Sequence, residues 1–197
     1  MKTKLLALLI SISSIAAADQ EAHPIFYMVA NGAWYAKCIP SGSYQNREEG
    51  TTRIYLADRD SDKLIYTFDW YSPEIYITGW GGGVSIVRMG PWPRGDKVTS
   101  NDLAVAFYHD GELLRRYSTL DIVGEENSVS ISVSHYTAFK EVIGFVHIYE
   151  KRGRDTLTSN PGYGFEVVLH DDRHIVFDPK TGNKVLLGFN IFTRRAN

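Results

Sequence analysis

The sequence predicts a single all-β domain built of antiparallel strands, either a β-sandwich or a barrel. Three observations carry this. Apolar residues recur with period two through most of the chain, the clearest run being Val129-Ser130-Ile131-Ser132-Val133-Ser134, and period two is the signature of a half-buried strand. Gly, Pro, Asn and Asp punctuate these runs about every dozen residues, as turns between short strands do. No stretch between runs is long and periodic enough for the helix of a βαβ crossover, so neighbouring strands should pair antiparallel.

Taken in order, the predicted strands are Ile25 to Ala30, Ala33 to Ile39, Thr52 to Leu56, Leu64 to Trp70, Glu74 to Thr78, Val84 to Met89, Leu103 to Tyr108, Leu113 to Tyr117, Val142 to Tyr149, Phe165 to Leu169, His174 to Phe177 and Lys184 to Phe189. Each is rich in β-branched and aromatic residues. Asn31-Gly32 and Asp110-Gly111 have the composition of tight hairpin turns, the second of type I′, which would set Phe107 opposite Leu114 and Tyr108 opposite Leu113. Asp171-Asp172 and the stretch from Asp178 to Asn183 mark two further reversals. The segment from Ser118 to Gly124 is the one helical signal, a turn or two stopped by glycine. The meander from Leu64 to Tyr117 offers an alternative, a single propeller-like blade.

The amino terminus sets the compartment. Lys2 and Lys4 precede the apolar run Leu5-Leu6-Ala7-Leu8-Leu9-Ile10, and small residues end at Ala18, which is the pattern of a secretory signal peptide over residues 1–18. The run is too short to span about 30 Å of hydrocarbon. No cysteine follows the cleavage point to take a lipid, so no membrane anchor is expected. The domain then covers residues 19–197 and is periplasmic or secreted. Without the leader, 19 basic residues stand against 23 acidic ones, a balance that argues against phosphate-backbone binding and hence against nucleic acid. One cysteine, Cys38, cannot form an internal disulfide; its alternation with Trp34 and Ala36 places it on a buried strand face.

The stretch from Leu64 to Tyr71, then Val87-Arg88-Met89-Gly90-Pro91-Trp92, then the run from Ala106 to Ser118 with its Asp-Gly turn and basic second strand, resembles uncharacterised exported bacterial β-rich proteins. The likeness covers about a third of the mature chain. It implies export and a β-rich fold, and brings no activity.

Candidate chemistry is sparse. Trp80 lies among glycines and Trp92 between prolines, in loops where core packing does not explain an aromatic; Arg88 and Arg94 flank the second as hydrogen-bond donors. His170, Asp172 and His174 surround one predicted turn with metal-like spacing, and Asp58, Asp60 and Asp62 alternate carboxylates as calcium loops do, although Lys63 stands where an EF-hand needs glycine. Each set equally describes a polar turn, so no cofactor is expected. His135 and His147 continue apolar strand faces, and Glu166, alternating with Phe165 and Val167, should face solvent. No G-x-S-x-G nucleophile elbow is present, and no Ser-x-x-Lys pair sits on a helix. The expected function is therefore that of an exported soluble binding protein, of inhibitor or immunity type, using Trp80, Trp92, Arg88 and Arg94 toward a protein or glycan partner in the cell envelope. Two alternatives stand beside it: a metal- or carboxylate-dependent hydrolase of envelope polymers, and a small-molecule carrier with an apolar cavity.

Overall fold

A strand is buried on both faces when a further layer covers each of them, and this chain has two such strands side by side. They are β6 (Ser85–Met89), buried at all five residues, and β7 (Leu103–His109), buried at six of seven. With β5 (Ile75–Thr78) and β8 (Glu112–Ser118) they form an antiparallel meander in the order β5-β6-β7-β8. The computed structural model describes residues 24–42, 47–79, 82–124, 129–132, 134–152, 156–157, 162–185 and 191–195. The leader expected over residues 1–18, Trp80, and the outer end of the strand expected from Lys184 to Phe189 lie outside them.

Sheets cover both faces of this meander. The first is a four-stranded meander of β1 (Tyr27–Asn31), β2 (Trp34–Pro40), β3 (Gly50–Leu56) and β4 (Lys63–Phe68). Its inward residues Ala36, Cys38 and Ile54 meet Ile77, Ile86, Ala106 and Tyr108 of the middle sheet in one buried cluster. The other sheet is built on β11 (Phe139–Arg152), β13 (Gly162–Leu169), β14 (His174–Phe177) and β15 (Lys184–Val185), with β12 (Thr156–Leu157) and β16 (Ile191–Arg195) also paired to β11. Its Phe165, Val167, Leu169 and Phe177 pack on Val87, Val105 and Phe107 from the opposite face. The result is an all-β stack of three antiparallel sheets, with a further two-stranded one beside them, sandwich-like and with no closed barrel. The barrel alternative is thus not realised. Nor is the blade from Leu64 to Tyr117, because β4 pairs with β3 in the first sheet and β5 begins a new one.

Local chemistry explains the connections. The β7–β8 hairpin closes on Asp110 (φ 48°) and Gly111 (φ 87°), the two positive angles of a type I′ turn. Tyr108 faces Leu113 as expected, but a bulge shifts Phe107 opposite Arg115 instead of Leu114. Between β1 and β2 only Gly32 has positive φ, so that two-residue loop follows the II′ pattern. The helical signal is realised as α1 (Thr119–Val123): Ser118 Oγ caps the Asp121 amide, the Asp121 carboxylate returns to the Ser118 amide, and Gly124 ends the turn. The clearest alternation fails. Among the described residues of Val129 to Ser134 only Ser130–Ile131 pairs, as β9 with β10 (Tyr136–Thr137), and Ile131 is 53% exposed.

Candidate functional site

Gly90 ends β6, donating to the Ala104 carbonyl at 2.9 Å. A side chain there would come within 1.7 Å of the Leu103 carbonyl oxygen, so the close approach requires glycine. The chain then runs through Pro91-Trp92-Pro93, two prolines that fix φ on either side of the aromatic. Beyond them the loop is tied to the turn that precedes β10: Tyr136 N donates to the Pro93 carbonyl at 3.1 Å, Gly95 N donates to that of Ser134 at 2.9 Å, and Arg94 bridges to His135. The loop is thereby held in one place.

Held so, the half-buried Trp92 forms a wall common to two clefts. One, of about 250 Å³, is lined also by Glu74, Tyr76, Thr137, Lys140 and Glu141; the other, of about 370 Å³, by Arg47, Glu48, Glu49, Arg94 and Asp102. Their polar groups are fixed from beneath. Asp102 accepts from Thr99 Oγ1 at 2.6 Å and from the Tyr136 hydroxyl at 2.7 Å. Burial, then that bond to Asp102, pushes the Tyr136 phenol up to about 12. In the first cleft the Tyr76 hydroxyl donates to Glu74, and burial followed by this bond raises its pKa. His135 is only 4% exposed; Nδ1 meets Ser134 Oγ at 2.7 Å, while Nε2 is enclosed with no hydrogen-bond partner among the described residues. Burial first, then the charges of Arg47 and Arg94, lowers its pKa, so the ring stays neutral.

The structure distributes the other predicted residues differently. Arg88 is not at the loop surface: it is 8% exposed, its guanidinium lies 4.7 Å from the centre of the Trp70 ring, and Nη2 meets Glu48 Oε2 at 2.6 Å. It therefore braces Glu48 at the cleft from inside. The supposed metal cluster disperses to three partners. His170 Nε2 meets Thr137 Oγ1 at 2.8 Å, Asp172 takes Lys140 at 2.5 Å, and His174 Nδ1 meets Glu166 at 2.6 Å. Among the described residues no group of three or more potential metal ligands converges. Asp58, Asp60 and Asp62 form an exposed turn in which Asp58 caps the Arg59 amide and Asp62 accepts from Tyr35.

Glu166 overturns the expectation of a solvent-facing residue. It is 5% exposed, and its second carboxylate oxygen accepts from Thr193 Oγ1, two strands away, at 2.5 Å. That reach requires the third sheet to curl, which encloses the face opposite the core together with Val146 and Val176, both buried. His147 packs between the rings of Tyr163 and Tyr149, at 5.0 and 6.1 Å. Cys38 is fully buried, and burial raises its thiol pKa.

The clefts join Trp92 and Arg94, which the Pro-Trp-Pro run singled out, to Arg47, Glu48, Glu49 and Asp102, which no sequence signal marked. Arg47, Glu48 and Glu49 precede β3 and reach the tryptophan through the stacking of the first sheet on the second, whereas Asp102 closes the same β6–β7 connection that carries Trp92. No family model matches the chain, and no curated protein or solved structure matches it.

Proposed function

We propose that the protein is an exported, non-catalytic binding protein that takes a polar envelope ligand, a saccharide chain, across the two clefts that Trp92 divides. The observation that carries this reading is the shared wall: one rigidly mounted aromatic faces a cleft on either side, and both clefts are rimmed by carboxylates and cations. Sugar rings present an apolar face to an aromatic and hydroxyls to carboxylates and guanidinium groups, which is the pairing available here. A protein partner anchored on a hot spot would ask instead for an apolar pocket ringed by flat surface. Export rests on the leader pattern of residues 1–18.

Titration with soluble peptidoglycan and polysaccharide fragments, followed by tryptophan fluorescence, tests the reading. Trp92→Ala should weaken binding by tenfold or more, about 1.4 kcal/mol, while costing only about 1 kcal/mol of stability, as a half-exposed loop residue does. A variant that binds as the parent does would overturn it.

A further inference from the structure

Every β-sheet edge must be guarded against pairing with another chain, by charge, brevity or cover. Most edges here follow that rule. β4 carries Lys63 and β8 carries Glu112, Arg115 and Arg116, while β5 and β15 are four and two residues long. The edge at β1 does not. The run Ile25-Phe26-Tyr27-Met28-Val29-Ala30 holds no charge and no proline, and Ile25, Phe26 and Met28 are 62%, 56% and 60% exposed. The two-residue turn makes Asn31 and Trp34 a hydrogen-bonded pair, followed by Val29 with Ala36 and Tyr27 with Cys38. The N–H and C=O groups of Met28 and Ala30 therefore point away from β2, toward the open edge.

We infer that this edge is a dimerisation surface, on which β1 of a second copy of this chain adds antiparallel to β1 about a two-fold axis at Met28. Two features favour a second copy over another strand. Identical copies place like charges together unless the facing strip is neutral, and this strip is. The register centred on Met28 is also self-complementary in shape: it pairs Met28 with itself and sets the large Phe26 against the partner's small Ala30, all on the exposed face of the sheet. The outward backbone groups meet in hydrogen-bonded pairs, and the two first sheets become one continuous eight-stranded sheet, as a two-fold interface built on one patch allows.

Sedimentation velocity of the purified protein across a concentration series should show a monomer–dimer equilibrium. Met28→Lys, which sets two ammonium groups against each other on the axis, should raise the dimer dissociation constant about tenfold or more with an unchanged circular dichroism spectrum. Met28→Cys should cross-link under mild oxidation, since Cα atoms of a hydrogen-bonded pair lie about 5.5 Å apart, within disulfide reach. Leu64→Cys, at a position 50% exposed on β4, should not. A protein that stays monomeric to roughly 100 µM, or a dimer that Met28→Lys leaves intact, would overturn the inference.

Discussion

The first sheet and the middle sheet are both four-stranded antiparallel meanders of similar length, yet they obey different sequence rules. In the first, residues alternate: Ala36, Cys38 and Ile54 face the core, while Tyr35, Lys37, Arg53 and Tyr55 face outward, with Lys37 4.9 Å from the centre of the Tyr55 ring. In the middle sheet β6 and β7 have no outward face, because the outer sheets cover both sides. Between these two sheets, alternation marks the covering layer and burial on both faces marks the covered one. Surfaces able to meet a partner belong to the covering layers, their edges and the loops that leave the middle sheet.

The largest test of this contrast is truncation on each side of it. Phe107 is fully buried and touches the rings of Phe165, Phe177 and Tyr117. Phe107→Ala should cost about 4 kcal/mol in chemical denaturation, the range for a large core aromatic that leaves a cavity. Tyr55→Ala, which loses a stack on Tyr35 at 4.9 Å and the Lys37 contact, should cost about 1 kcal/mol or less. Equal losses would mean that the outer face of the first sheet is covered too.

Strand class and most strand positions were legible because backbone pairing imposes period two whatever the layer. The layer was harder to read. Val84 to Met89 and Leu103 to Tyr108 could be recognised as strands, but that both neighbouring sheets would stack on them depends on contacts between residues far apart in the chain. Glu166 shows the same limit, since its burial comes from the curl that brings Thr193 over it. At the site, two prolines around one tryptophan announced a rigid aromatic, whereas nothing local in Arg47, Glu48 or Glu49 predicts where the first sheet will carry them.

Within the doubly covered β6 one residue is charged, and it sharpens the comparison. Arg88 is the only charged residue of β6, and its charge is met by Glu48 from a turn of the covering sheet. Glu48→Ala should cost about 3 kcal/mol, because it leaves a guanidinium buried with its carboxylate gone. Glu48→Gln should recover part of this by retaining a hydrogen-bond acceptor. If the alanine variant were as stable as the parent, Arg88 would have to be reaching water, and the layer would be less closed than its burial indicates.

His135 extends the test to the loop that carries the site. Its folded pKa lies below the ordinary value of 6.5, through burial first and then Arg47 and Arg94. The unfolded chain therefore takes a proton before the folded one does. Stability should be complete above pH 6.5 and should fall as pH drops through the window below it, levelling once the folded ring also titrates. His170, lowered by burial and by Lys140, contributes in the same direction. Thermal melts from pH 7 to pH 5 should thus show a shallower decline for His135→Asn than for the parent. An identical slope would mean the ring is already open to protonation, and the loop less firmly closed over it.

The smallest expected effect lies where the sequence pattern was cleanest. Val129 to Ser134 alternates as a half-buried strand should, and a residue on the apolar face of a real covering strand would lose 2 kcal/mol or more on becoming polar, by the usual cost of withdrawing a branched side chain from the core. Among its described residues only two pair, however, and Ile131 is 53% exposed. Its neighbour Ser132 is committed elsewhere, its amide and hydroxyl both donating to the His135 carbonyl, which turns the chain toward β10 before a longer strand can form. Side-chain to backbone bonds of this kind compete with a ladder, and serine at alternate positions supplies them. Ile131→Ser should therefore change stability by no more than about 0.5 kcal/mol, measured by urea unfolding beside Phe107→Ala. A loss near 2 kcal/mol would show that the run is packed as its pattern suggests, and that alternation alone had been sufficient to identify a covering layer.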